Sequence, residues 1–143
     1  MPDLFNFEVH TPYRLFFSDK AQAITITLTD GEIGVYANHS SFTAATVTCI
    51  LRIKDAEGVW HSAFVSGGIL EVKDIKNVLM VDIAEWPQEI DKQRALELKQ
   101  EAEKNLSDTG FKFEIDKAKE QLRRAEYRLK VSEQAPFSTK CSN

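Results

Sequence analysis

An all-β N-terminal domain followed by an α-helical hairpin is the fold this 143-residue chain predicts. Three observations carry the prediction. Apolar residues alternate with period 2 as far as Glu85, they recur at steps of 3 and 4 after Pro87, and the charge balance shifts at the same place. Residues 1–85 carry 6 Lys+Arg against 11 Asp+Glu, a balance of −5, whereas residues 86–143 carry 12 against 11, a balance of +1.

The first strands follow from Phe5, Phe7 and Val9, then from Ile24, Ile26 and Leu28. Later come the runs Ile69–Val72 and Val78–Ala84, dense enough in aliphatics to predict strands buried on both faces. Val, Ile, Thr and Phe are the residues that fit a pleated, half-buried surface. Turn signals at Thr11-Pro12, Asp30-Gly31, Glu57-Gly58 and Gly67-Gly68 bound these runs. About ten short strands at this spacing predict a β-sandwich over residues 1–86. Gly67-Gly68 reads as a tight turn between strands, because no helix follows it to make a phosphate loop. In Asp30–His39, the Gly31 and Gly34 spacing predicts either a bend with close backbone approach or a plain hairpin with solvated polar ends.

From residue 87 to 134 the pattern predicts two helices. Ala95, Leu98, Ala102 and Leu106 fall on one face of the first. Residues 107–110, Ser-Asp-Thr-Gly, break it. Ile115, Ala118, Leu122, Ala125 and Leu129 form the seam of the second, the spacing of an antiparallel coiled coil. So much alanine permits close approach but buries little area, which predicts a hairpin marginal as an isolated unit and able to dock in more than one way. Residues 135–143, with Pro136 and mostly polar neighbours, predict a flexible tail.

Composition excludes several functions. Hydrophobic residues make up 43%, too many for a disordered chain, and the net charge of −4 argues against a nucleic-acid binder. No run approaches the ~20 apolar residues of a membrane span. The N-terminus has neither the pattern of a secretory signal nor that of a transit peptide, and Cys49 and Cys141 lie too far apart to suggest a disulfide framework or metal knuckle. A reducing, cytosol-facing compartment is therefore expected. His10, His39 and His61 lack zinc spacing, and there is no Walker loop, nucleophile elbow or His-Glu-x-x-His helix. A catalytic role is not expected. The basic stripe Lys117, Gln121, Arg124 and Arg128 reads either as a solvated helix face or as a grip for carboxylates or phosphates.

The ordered set of these segments resembles the epsilon subunits of bacterial and chloroplast-type F-type ATP synthases. The resemblance is carried by Phe7-Glu8-Val9, by Asp30-Gly31-Glu32-Ile33-Gly34-Val35 with His39, and by Phe64-Val65-Ser66-Gly67-Gly68-Ile69-Leu70-Glu71-Val72. It continues through Ala84-Glu85, Ile90-Asp91-Lys92-Gln93-Arg94-Ala95 and Arg124-Ala125-Glu126-Tyr127-Arg128-Leu129-Lys130-Val131. It implies a ten-stranded sandwich, a two-helix hairpin and a non-catalytic rotor subunit that couples proton translocation to ATP synthesis. The implied partners are the gamma subunit and the c-ring, with alpha and beta subunits met when the hairpin extends to block ATP hydrolysis. The implied location is peripheral, at the cytoplasmic face of the bacterial inner membrane. Glu32 and His39 match c-ring and gamma contacts. No cofactor is required, but some members bind ATP as a regulatory ligand, and Glu85, Asp91, Arg94, Arg124 and Arg128 match the residues involved. The alternative is a free-standing ATP-sensing module. The chain departs from the family pattern at Ala37, Asn38 and Ser41, where Pro, Gly and Pro are common, and at Thr48-Cys49, where Pro-Gly is common.

Overall fold

The computed structural model describes residues 3–108 and 110–137. Nine strands and two helices are found among them: β1 (Phe5–His10), β2 (Leu15–Leu28), β3 (Gly31–Tyr36), β4 (Phe42–Thr46), β5 (Cys49–Asp55), β6 (Trp60–Val65), β7 (Gly68–Val72), β8 (Lys76–Val81), β9 (Ala84–Glu85), α1 (Lys92–Asp108) and α2 (Lys112–Ser132). A 3-10 turn at Pro87–Glu89 joins β9 to α1.

The 14-residue β2 organises the sandwich. Its first half pairs antiparallel with β1, and its second half pairs with β3 on one side and β5 on the other. A register shift between Ala21 and Ala23 lets the strand bend between the two sets of partners. Leu28 at its far end meets Thr46 of β4, and the order β1-β8-β7-β4-β2 closes the circuit. The β1–β8 pairing is parallel and the rest are antiparallel.

Inward positions of the alternating strands build one core. Phe7, Val9, Ile24, Val35, Leu51, Ile53, Leu70 and Leu79 are fully buried within it. β7 and β8 are not doubly buried as their composition suggests. Ile69 is 47% exposed and Met80 45% exposed, and they face each other as a cross-strand pair on the solvent side. Antiparallel pairs can leave one face wet, so an aliphatic run there is no proof of two covered faces.

Of the two glycine pairs, close approach occurs at Gly67-Gly68. A Cβ on Gly68 would lie 1.9 Å from the Met80 carbonyl oxygen. Asp30-Gly31 makes the plain hairpin instead, with Gly31 at φ 131° and Gly34 meeting only the Tyr36 side chain.

The hairpin packs through alanines. Ala95 and Ala102 of α1 and Ala118 and Ala125 of α2 are buried along the seam, while Leu98, Leu106, Leu122 and Leu129 are only half-buried. The tail is held at its start rather than free: Phe137 packs on the sandwich. Residues 138–143, including Cys141, lie outside the described residues.

Candidate functional site

The contact region between hairpin and sandwich holds Glu85 and Arg128, with Arg124 one turn away on α2. It begins at the joint after β9. Glu89 accepts hydrogen bonds from the Trp86 backbone N–H at 2.9 Å and from the Arg14 guanidinium at 2.8 Å. The Arg14 contact, aided by the Trp86 N–H, outweighs partial burial and holds the Glu89 carboxyl below its ordinary pKa. Pro87 is suited to the first position of the short turn, where no N–H is needed. Asp91 starts α1 by accepting the Arg94 backbone N–H at 3.0 Å, an N-cap interaction.

α2 meets the sandwich at two polar points. Arg128 donates to Glu85 at 2.9 Å, both half-buried, and its guanidinium lies 4.7 Å from the centre of the buried Phe64 ring. Just over two turns toward the tip, the buried Thr48 hydroxyl donates to Glu120 at 2.6 Å. Glu120 also receives Arg123 at 2.9 Å and Arg124 at 3.4 Å. The pairing of Glu85 with Arg128 joins residues 43 positions apart.

Arg124 and Arg128 also line a groove of about 220 Å³ between the helices, with Leu98, Glu101, Gln121 and Ala125. The basic stripe therefore faces this groove through Gln121, Arg124 and Arg128. Arg94 points instead toward Glu97, at 3.8 Å on the exposed side of α1. The structure thus joins Arg128 to Glu85 on one side and sets it with Arg124 along the groove on the other, and leaves Asp91 capping and Arg94 exposed.

The second candidate region is the edge strand β3, paired with β2. Glu32 lies opposite Thr27 and is exposed. His39 is half-buried against Phe42, ring centres 5.2 Å apart, with Nδ1 and the Ser40 carbonyl 2.9 Å apart. Beside it Asn38 has φ 65°. Asparagine is among the few non-glycine residues that tolerate this left-handed conformation, so it can replace glycine there.

Sequence reasoning missed Thr48, Glu120, Arg14, Glu89 and Phe137. For Glu120 a local signal exists, since it stands three and four residues before Arg123 and Arg124. The others act through contacts 49 to 75 positions apart, which no local pattern announces.

Two family models divide the chain between them. Residues 4–87 match the β-sandwich domain of the ATP synthase delta/epsilon chain, and residues 88–133 match its long α-helix domain. The ATP synthase epsilon chain of Caldicellulosiruptor bescii is 42% identical over 130 residues, covering 91% of this chain and 94% of that one. That of Clostridium novyi is 37% identical over 131 residues, covering 92% and 99%. Among solved structures, a chain of the Euglena gracilis mitochondrial ATP synthase superimposes with a TM-score of 0.79 at 21% identity, covering 94% of this chain and 84% of that one.

Proposed function

As a member of the ATP synthase delta/epsilon chain family, this protein is a non-catalytic subunit of an ATP synthase, and we propose that its hairpin moves to restrain ATP hydrolysis. Glu32 and His39, on and just beyond the β3 edge, meet the c-ring and the foot of gamma. The hairpin leaves the sandwich, extends beside gamma, and presents the arginines of α2 to acidic loops of the alpha and beta subunits. No helix among the described residues is long and apolar enough to cross a membrane. Attachment is peripheral, through the complex, at the cytoplasmic face of the bacterial inner membrane.

One observation carries this reading. Among the described residues, the contiguous apolar core contains no residue of α1 or α2. The hairpin meets the sandwich through the Arg128–Glu85 and Thr48–Glu120 contacts, with Arg128 over the buried Phe64 ring and Val131 fully buried. A few kcal/mol separating docked from free is the range in which a partner can redistribute the two states. The test is depletion and add-back. Solubilised ATPase stripped of this chain should hydrolyse ATP faster, and the full chain should restore the slower rate. No change on add-back would end the proposal and favour the free-standing alternative, as would failure to co-purify with gamma.

A second reading is favoured by the groove that holds Arg124 and Arg128. In it, the docked hairpin binds ATP without hydrolysing it, with Asp91 and Arg94 contributing from α1. Glu85 then competes with phosphate for Arg128, because it already occupies that guanidinium. Arg124→Ala or Arg128→Ala is expected to weaken ATP binding by the isolated protein by about 1–3 kcal/mol, the worth of a lost charge-assisted contact. Calorimetry with the unmutated chain decides first: no ATP heat leaves only the inhibitory role.

A further inference from the structure

We propose that Phe137 is a latch that holds the hairpin in its docked position. Its consequence inside the ATP synthase rests on the inhibitory reading above, whereas the latch itself is a property of the chain alone. After α2 ends at Ser132, the Glu133 and Gln134 backbone N–H groups bond back to Lys130 and Val131, and the chain crosses to the joint before α1. There the Gln88 side chain and the Phe137 backbone exchange two hydrogen bonds. Gln88 Nε2 donates to the Phe137 carbonyl at 3.1 Å, and the Phe137 N–H donates to Gln88 Oε1 at 3.0 Å.

The Phe137 ring completes a pile of aromatic groups. Phe16 stacks on Trp86 at 4.3 Å, and Phe137 stacks on Trp86 at 3.8 Å, within 7° of parallel. The Arg14 guanidinium lies 5.0 Å from the Phe16 ring centre. Phe17 and His61 meet the Phe137 ring edge-on at 6.3 and 5.0 Å. His61 is itself anchored by Asp55 at 2.7 Å. Every wall of this seat belongs to the sandwich or the joint, and only the occupant comes from beyond the hairpin.

The geometry makes Phe137 decisive for motion. The hairpin starts at the joint and returns to it, so both of its ends are tied to Trp86 and Gln88. A helix pair held by one end can pivot, but one held by both cannot swing away until one end lets go. The Phe137 end is the releasable one, because the other is covalent. Phe137 also lies past residue 133, where the family's helical domain model stops. The latch is therefore read from this chain and not from the family pattern.

The test uses the full chain carrying Trp60→Phe, so that Trp86 is the reporting tryptophan. Phe137→Ala should red-shift Trp86 emission, increase its quenching by acrylamide and raise amide exchange in α2 about tenfold, with sandwich amides unchanged. Gln88→Ala should move the same readouts in the same direction. Unchanged Trp86 quenching would overturn the latch. So would increased quenching with α2 exchange unaltered, since Phe137 would then cover Trp86 without restraining the hairpin. In the reassembled ATPase, Phe137→Ala should slow hydrolysis further. If α2 exchange rises and hydrolysis stays the same, the latch stands and the inhibitory reading falls.

Discussion

A chain cut after Trp86 is expected to fold to the same sandwich, bind gamma and leave the ATPase uninhibited. The reasoning starts in the core. Its buried residues run from Phe5 to Trp86, with Phe137 only packed against the outside. Cutting there removes the ring stacked on Trp86, the Arg14–Glu89 and Arg128–Glu85 pairs, the Thr48–Glu120 hydrogen bond and the Arg128 guanidinium over Phe64. The stacked ring is worth roughly 0.5–1.5 kcal/mol, an exposed ion pair about 1 kcal/mol or less and a hydrogen bond to a carboxylate about 1.5–3 kcal/mol, so the cost is a few kcal/mol. A single urea transition at a lower midpoint is the expected measurement. Hydrolysis by ATPase carrying the cut chain should match that of the depleted enzyme. A cut chain that fails to fold would mean that hairpin and sandwich form one cooperative unit, and the mobile-hairpin reading would go with it.

Gly68→Ala is expected to be the most damaging single-methyl addition in the sandwich. The new Cβ would stand 1.9 Å from the Met80 carbonyl oxygen, and 2.9 Å from both the Met80 carbonyl carbon and Val81 Cγ1. Two of these atoms are backbone, so β7 or β8 must shift. That shift strains the Gly68–Val81 and Ile69–Met80 pairing and the 2.9 Å bond from the Gly68 N–H to the Thr46 hydroxyl. A loss of about 3 kcal/mol or more is expected from urea unfolding, the upper end for overpacking. Gly34→Ala is the control. Its Cβ meets only the Tyr36 side chain at 3.5 Å, so that variant should be neutral or slightly stabilised. Equal losses at both positions would refute the close-approach argument.

Local pattern carried the fold far. The helix seam needed only the 3-and-4 recurrence of Ala118, Leu122 and Ala125, and the sandwich needed only alternation and turns. Where pattern failed, the deciding contact was distant. Ile69 and Met80 are apolar on a solvent face, and composition cannot distinguish that from burial. Phe137 is a lone aromatic after Pro136 with no periodicity, so its seat on Trp86 is invisible until the chain is folded. The candidate site was legible in its charges and not in its pairings. Arg128 stood out on a basic stripe, but its partner Glu85 lies in another domain. Thr48 departs from the family pattern, and the fold shows it tying down Glu120.

The long bent β2 has a mechanical consequence. Because one unbroken backbone belongs to both sets of strand partners, sliding the two layers past each other would require stretching covalent bonds or stripping several ladders at once. Torsional shear imposed on one side is thus passed to the other by the chain itself, which gives a small domain the stiffness of a keyed coupling.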